Sequence, residues 1–393
     1  MRKSSAIAAL VGMLMLSGCA ATPVDVAAPS APTPPTPNAQ PENSPLPLPN
    51  AAGLNLRQID FSQLPGWGDE NHAAALDGFI YSCQKLARQK PGQTEFEQNA
   101  TIAPASPDWA SICRIAQNSD SADAKLFFEH FFKPYQILDG EKNTGLITGY
   151  YEASLNGSYH RSKKYRYPVY RLPAASQLNL TRADINRGAL ANKKLELLWV
   201  DDPVAILALH IQGSGRVTMD NGRTIRIGFA GKNNHPYFSI GKTFAERRLI
   251  PLDKIDMGSI EAWLRNNPKL ANEVVETNPS YIFFREVPQL AHQDGPIGAY
   301  GIPLLQSRSI AVDRAIYPLG LPLWMDAPHP DSSRPPLQHM VFAHDTGSAI
   351  KGVIRADYFF GAGDAAKTNA GLMRARGKMY VLVPKTDFLL SQK

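Results

Sequence analysis

The sequence predicts a mainly β protein with peripheral helices, carried behind an exported and tethered N-terminus. Three observations predict it. After residue 145 the chain breaks into short β-branched and aromatic runs separated by Gly, Pro and Asn. Asp220-Asn221-Gly222, between Val217 and Thr224, is a strong hairpin turn. Strand-like and helical runs do not alternate as a parallel nucleotide-binding sheet requires. At 393 residues, 44% hydrophobic and 19% charged, the chain is too apolar to be disordered and long enough for one large core or two modest ones.

The N-terminus sets the address. Arg2 and Lys3 precede an apolar run from Ala6 to Leu16, too short to span a bilayer and suited to the core of a secretory signal. The run ends Leu16-Ser17-Gly18-Cys19, which resembles the bacterial lipoprotein cleavage box. Residues 1–18 therefore read as a signal peptide and Cys19 as the lipidated new N-terminus. By the same resemblance, Ala20 after the cysteine implies the periplasmic face of the outer membrane. Ten of the 31 residues from Ala20 to Asn50 are proline, so residues 19–50 read as a lipid-anchored linker without core-forming periodicity.

Residues 70–95 and 106–139 carry helical spacing. Ala74, Leu76, Phe79, Ile80, Cys83 and Leu86 recur at three and four, as do Ile112, Ile115, Ala116, Phe127, Phe128 and Phe131. Cys83 and Cys113 fall on these apolar faces, and both a disulfide and two buried thiols are open. Strands are expected at 145–153, 167–172, 204–212, 223–230, 281–286, 310–312, 321–325, 339–344 and 379–384. One helix, 255–276, interrupts them with an apolar stripe of Ile260, Trp263, Leu264, Leu270 and Val274.

Three clusters are candidates for chemistry. Thr148-Gly149-Tyr150-Tyr151-Glu152 offers aromatic faces rimmed by hydroxyls, which suit a pyranose ring and equally an aromatic strand pair. His210-Ile211-Gln212-Gly213-Ser214-Gly215-Arg216 reads as a strand entering a Gly-rich turn that lets backbone approach a ligand, followed by Gly231-Lys232-Asn233-Asn234-His235-Pro236-Tyr237. The third cluster places Asp313, Asp345, Asp357 and Asp364 among apolar and aromatic residues, where desolvation raises a carboxyl into the range of a general acid. Singly, each is as readily a turn, cap or ion-pair aspartate, and Asp313 stands beside Arg314. Asp345-Thr346-Gly347-Ser348 also matches the aspartic-protease nucleus, but that chemistry needs two copies and the chain has one.

The charge supports little else. A net +6 over this length is mild, and no nucleic-acid-binding signature appears. No His-Glu-x-x-His or Cys-x-x-Cys occurs, so neither a metal nor another cofactor is expected.

From Gly145 to Pro384 the ordered motifs become specific. Thr148-Gly149-Tyr150-Tyr151-Glu152, Gln212-Gly213-Ser214-Gly215, Gly231 to Tyr237, Asn278-Pro279-Ser280-Tyr281-Ile282-Phe283-Phe284 and the aspartate-rich tail resemble the membrane-bound lytic murein transglycosylase A family. Ser348 and Ala153 depart from that pattern, where the family usually has Gly and Pro. The resemblance implies a double-psi β-barrel from residues 51–153 and 288–393, with a second β-domain inserted at 154–287 and a peptidoglycan groove between them. It implies Asp357 as the catalytic acid and base and Asp345 as its support. Thr148, Tyr150, Tyr151, Gln212, Gly213 and Ser214 would bind the glycan. It further implies cleavage of the β-1,4 bond between N-acetylmuramic acid and N-acetylglucosamine without water, forming 1,6-anhydromuramic ends. The expected partners are peptidoglycan glycan strands and, through the anchor, the outer membrane. Partners within the envelope are not named by the sequence. The rival reading is a non-catalytic peptidoglycan-binding lipoprotein, against which only the aspartates argue.

Overall fold

A computed structural model describes residues 53–88, 108–287 and 290–385. The signal peptide, Cys19 and the Pro-rich linker lie outside the described residues, all of which belong to one unit, Leu46–Lys393. The chain enters through β1 (Leu54–Gln58), then α1 (His72–Leu86), α2 (Trp109–Gln117) and α3 (Ala124–Phe131). Next come β2 (Phe132–Asp139), β3 (Gly145–Ser158), β4 (Tyr167–Tyr170), α4 (Arg182–Asn186), β5 (Glu196–Val200) and α5 (Pro203–Gln212). The hairpin of β6 (Ser214–Met219) and β7 (Thr224–Lys232) follows, then α6 (Ile240–Glu246), α7 (Met257–Asn266), α8 (Pro268–Glu276) and β8 (Ile282–Glu286). The last part contains β9 (Ser309–Val312), β10 (Pro322–Ala327), β11 (Leu337–Asp345), β12 (Arg355–Ala362), α9 (Asp364–Leu372) and β13 (Arg374–Pro384). The fold is mainly β with helices packed around it, as the strand-rich texture predicts.

The long strand β3 organises the sheet. Its first half pairs with β12 in parallel and with β13 antiparallel. From β13 the order runs through β10, β11, β9 and β12 and returns to β3, while β2 and β1 extend outward from β13. The second half of β3 turns to different partners, β6 in parallel and β5 antiparallel, with β7 and β8 following β6. One strand thus belongs to two sets of ladders, and the change of partners falls between Glu152 and Ala153.

Helix α1 begins at Asn71, whose side chain accepts from Ala74 N, and it buries Ala75, Leu76, Phe79, Cys83 and Leu86 at the expected spacing. A disulfide joins Cys83 to Cys113 and links α1 to α2, which settles the two sequence alternatives. Against β11, α1 comes so close that a Cβ on Gly78 would lie 2.4 Å from the ring of Phe342.

Three expectations fail for physical reasons. Residues 204–212 form helix α5, not a strand, so His210 to Gln212 is a helix end and Gly213, at φ 79°, is its left-handed cap. The run Val204 to Ile211 is apolar nearly all round, and periodicity cannot separate a buried helix from a buried strand there. Asp202 capping the helix and Pro203 at its first position were the signals available. The helix expected at 255–276 is two helices, because Pro268 opens α8 and cannot continue α7. Residues 132–139 leave the predicted helical region as β2.

Candidate active site

The parallel and antiparallel pairings around β9 bring the two central aspartates to one place. Asp345 at the end of β11 and Asp357 in β12 are both in register with Ala311 of β9, one from each side. Ala311 is buried and offers only a methyl between them. On its other side Asp357 is in register with Thr148 of β3. Thr148 and Tyr150 are two residues apart on one strand and therefore share a face. The Thr148 hydroxyl donates to Asp357 Oδ1 at 2.5 Å, and the Tyr150 hydroxyl donates to Asp345 Oδ2 at 3.1 Å. Tyr150 is held by Phe359, with ring centroids 5.2 Å apart.

Asp345 has a further tie, since the main-chain N–H of Ala299 donates to its Oδ1 at 2.9 Å. The neighbouring His344 is fully buried, with its ring stacked near-parallel to those of Tyr300 and Phe342. Its ring nitrogens meet Ser309 and Ser82 at 2.8 Å each. Ser82 also donates to Gly78 O, so it accepts from His344 Nε2–H, leaving Nδ1 to accept from Ser309. Burial pushes this imidazole down to about 3, which keeps it neutral, and through Ser82 it fixes the end of β11 to α1.

Burial raises the Asp357 carboxyl above the ordinary range, while the Arg355 charge and the Thr148 hydrogen bond hold it back. Burial also raises Asp345, to about 6, against the opposing hydrogen bonds from Ala299, Thr346 and Tyr150, and the charge of Asp357 adds to the rise. Tyr150 is pushed well up by its burial and by both aspartates, so it remains a neutral donor. Both aspartates keep partial solvent exposure, so a ligand can reach them. The site therefore holds two carboxyls that release their protons less readily than usual, each with its own hydroxyl partner.

The second group stands farther along β3. The main-chain N–H of Tyr151 donates to Gln212 Oε1 at 2.9 Å, which fastens the end of α5 to the strand carrying Thr148 and Tyr150. Gly213 turns the chain and Ser214, buried, starts β6. Gln212 thus spends its carbonyl on the backbone next to the aspartate cluster, and Gly213 and Ser214 continue from it. Tyr237, at the end of the Gly231 to Tyr237 segment, has its hydroxyl pushed up by burial, with Ser239 and Arg182 opposing and the Asp357 charge adding to the rise. It lies within electrostatic reach of Asp357, although the sequence assigned no separate role to it. Arg355 and Ala299 were also unforeseen. Arg355 was legible as a neighbour two residues before Asp357, whereas nothing in the sequence marked the Ala299 N–H.

Other acidic candidates separate from this site. Asp313 is fully buried and accepts from Lys351 Nζ at 3.0 Å, Gly352 N at 3.0 Å and Ala315 N at 3.2 Å. Its ion-pair partner is Lys351, not the adjacent Arg314. Asp364 is exposed at the start of α9. Glu152, 1% exposed, is gripped by Arg216 Nε at 2.7 Å and by Arg226 Nε at 2.7 Å and Nη2 at 3.0 Å. Among the described residues no cluster of three or more His, Cys, Asp or Glu side chains is disposed to hold a metal.

Comparison with known proteins places these residues in two matched regions. Residues 146–285 match the MltA specific insert domain, and residues 308–383 match the 3D domain. The chain is 32% identical over 307 residues to the membrane-bound lytic murein transglycosylase A of Vibrio cholerae, covering 74% of this chain and 81% of that one. It is similar to the crystal structure of a membrane-bound lytic murein transglycosylase from Agrobacterium tumefaciens, with TM-score 0.74 and 28% identity over 84% of this chain and 98% of that one. MltA from Neisseria gonorrhoeae gives TM-score 0.70 and 33% identity over 85% and 94%. Thr148, Tyr150 and Gln212 lie in the first matched region and both aspartates in the second. On the strength of that agreement in sequence and fold, the chain belongs to the membrane-bound lytic murein transglycosylase A family.

Proposed function

We propose that this protein is a peptidoglycan lytic transglycosylase that cleaves the β-1,4 bond between N-acetylmuramic acid and N-acetylglucosamine and leaves 1,6-anhydromuramic ends. The observation that carries the reading is Asp357, reachable by ligand, raised by burial and held at a defined oxygen by Thr148. Protonated Asp357 donates to the glycosidic oxygen as the C1–O bond breaks, and positive charge develops at C1. The muramyl C6 hydroxyl then attacks C1 and its proton returns to Asp357, so no water is consumed and the acid is regenerated. An internal hydroxyl is already at high effective concentration, which removes the need for a second carboxylate to activate water. Asp345, oriented by Tyr150 and Ala299, supports the developing charge. A purely binding protein has no use for a raised carboxyl at the centre of its groove.

The strand order that returns from β13 to β3 is the basis for assigning a double-psi barrel to residues 51–153 and 288–393, with 154–287 as the inserted domain. Glycan binds between the Thr148–Tyr150 face and the Gln212–Ser214 turn. We assign the outer membrane as its place, through lipid on Cys19. Digestion of purified peptidoglycan in oxygen-18 water tests the reaction. Unlabelled anhydro fragments, lighter by one water or about 18 Da than hydrolysed ones, are expected. Labelled, reducing muramic acid as the main product would refute it.

A further inference from the structure

The register that assembles the aspartate cluster also lays a pair of arginines beside it. Thr148 of β3 pairs with Asp357 on one side and with Arg374 of β13 on the other, and Leu146 pairs likewise with Arg355 and Arg376. Residues directly opposite in neighbouring strands project to the same face. Arg374 and Arg376 therefore share the face of Thr148 and Asp357. The alternate residues confirm the geometry: Ile147 and Ala356 are fully buried in the core, and Ala375 packs against it. Both arginines are exposed, and neither guanidinium has a hydrogen-bond or ion-pair partner among the described residues. Arg355, by contrast, is buried and donates to the carbonyls of Leu146 and Ala356. Two strand spacings put the Arg374 Cα on the order of 10 Å from that of Asp357, and the two arginines stand roughly 7 Å apart along β13.

We propose that Arg374 and Arg376 form an anion subsite that binds carboxylates of the peptide stem carried by the glycan strand. This rests on the proposed function and names a substrate feature of the same site. N-acetylglucosamine is neutral, and in a strand that carries stems the lactyl carboxyl of N-acetylmuramic acid is consumed in the amide to the stem, so two unpartnered cations on the catalytic face have only the stem carboxylates to pair with. The stem, attached through the lactyl ether of N-acetylmuramic acid, brings carboxylates within about one sugar length of the bond being cut. The planar guanidinium fork matches a carboxylate in two hydrogen bonds, and two forks in series match a peptide bearing more than one acid. Desolvation at an open face is small, so the pair adds attraction without a large penalty.

The test uses the full chain carrying Asp357→Asn to stop turnover, titrated with a soluble glycan fragment bearing its stems and with the same fragment stripped of them and its exposed lactyl carboxyls converted to neutral amides. Stems should tighten binding by about tenfold, as charge-assisted hydrogen bonds to exposed arginines allow. Adding Arg374→Gln and Arg376→Gln should reduce that advantage to less than about twofold, and lysine at both positions should keep part of it. Higher salt should erode the advantage in the parent and leave the stripped fragment less affected. An undiminished advantage in the double glutamine variant overturns the subsite, as does the absence of any advantage in a parent that still binds the stripped fragment. If the glutamine variant binds neither fragment, the lysine variant decides, and loss of the stem advantage there also overturns the proposal. Failure of the parent to bind either fragment overturns the proposed function and the subsite together.

Discussion

Asp357 and Asp345 are both raised by burial, yet their partners differ, and under the proposed function that difference divides the work between them. Asp357 has one hydroxyl ligand and a cation two residues away, so its proton can leave and return. Asp345 is tied at both oxygens, by Ala299 N and Tyr150, which suits a fixed charge. Asp357→Asn is expected to cut the cleavage rate by roughly a thousandfold or more while leaving glycan binding near normal, since the amide keeps the shape and has no proton to transfer. Rates and binding on purified peptidoglycan decide it, and a dead Asp345→Asn beside a nearly normal Asp357→Asn would reverse the two roles. The pH profile gives a second test. A general acid must be protonated, so kcat/KM falls as pH rises through the raised value of Asp357. Arg355 holds that value down, with Thr148 acting in the same direction, while Tyr150, Asp345 and Tyr237 complete the groups that feel this charge. Removing the cation in Arg355→Gln lets the carboxyl rise further, and the alkaline limb of kcat/KM should move to higher pH. A limb that stays still or moves to lower pH contradicts this reading. Both aspartates of the candidate site stood out in the sequence because carboxylates among aromatics are costly to place, and the structure brings the two together beside Ala311. The exclusion of Asp313 was not legible, because its buried partner Lys351 lies 38 residues away.

At the scale of elements, legibility followed the contrast between faces. Helix α1 has one apolar face and was readable, and the turn at Asp220-Asn221-Gly222 does join β6 to β7. Helix α5 has little polar face, so its length and apolar content read as a buried strand. The cost of that misreading is specific: Gln212 reaches the backbone of β3 only from a helix terminus. Close approach of α9 to β3 was equally hidden, since it depends on a missing side chain. A Cβ on Gly149 would lie 2.5 Å from the Phe360 ring and 3.0 Å from the Cα of Ala370. Gly149→Val should therefore push α9 off the strand and destabilise the fold by about 1–3 kcal/mol. Because Thr148 and Tyr150 flank that position, activity should fall by more than the loss of folded protein explains. Denaturant unfolding measured beside the rate separates the two effects.

Across the whole molecule, the change of partners along β3 is the feature that sequence could not supply, and Glu152 sits at that point. Its two oxygens are taken by Arg216 and Arg226, which lie opposite each other on β6 and β7. The same guanidiniums donate to the carbonyls of Ala291, His292 and Asp294, so one buried carboxylate ties β3, the β6–β7 hairpin and the approach to Ala299 together. A hydrolase acting on the same bond would need a second carboxylate, and no Glu occurs between Asp313 and Lys393, so a distant one such as Glu152 would have to supply it. Two opposed roles give opposed outcomes for Glu152→Gln. If Glu152 activated water, the variant would fold normally and lose turnover, or change its product. If it is the hub described here, removing the charge strands two largely buried guanidiniums and should destabilise the protein by about 3–5 kcal/mol. The folded fraction that remains should still give anhydro ends, since Asp357 and the muramyl hydroxyl are untouched. Thermal unfolding together with mass analysis of the fragments distinguishes the two, and a stable variant that has stopped cutting would restore Glu152 as a catalytic residue.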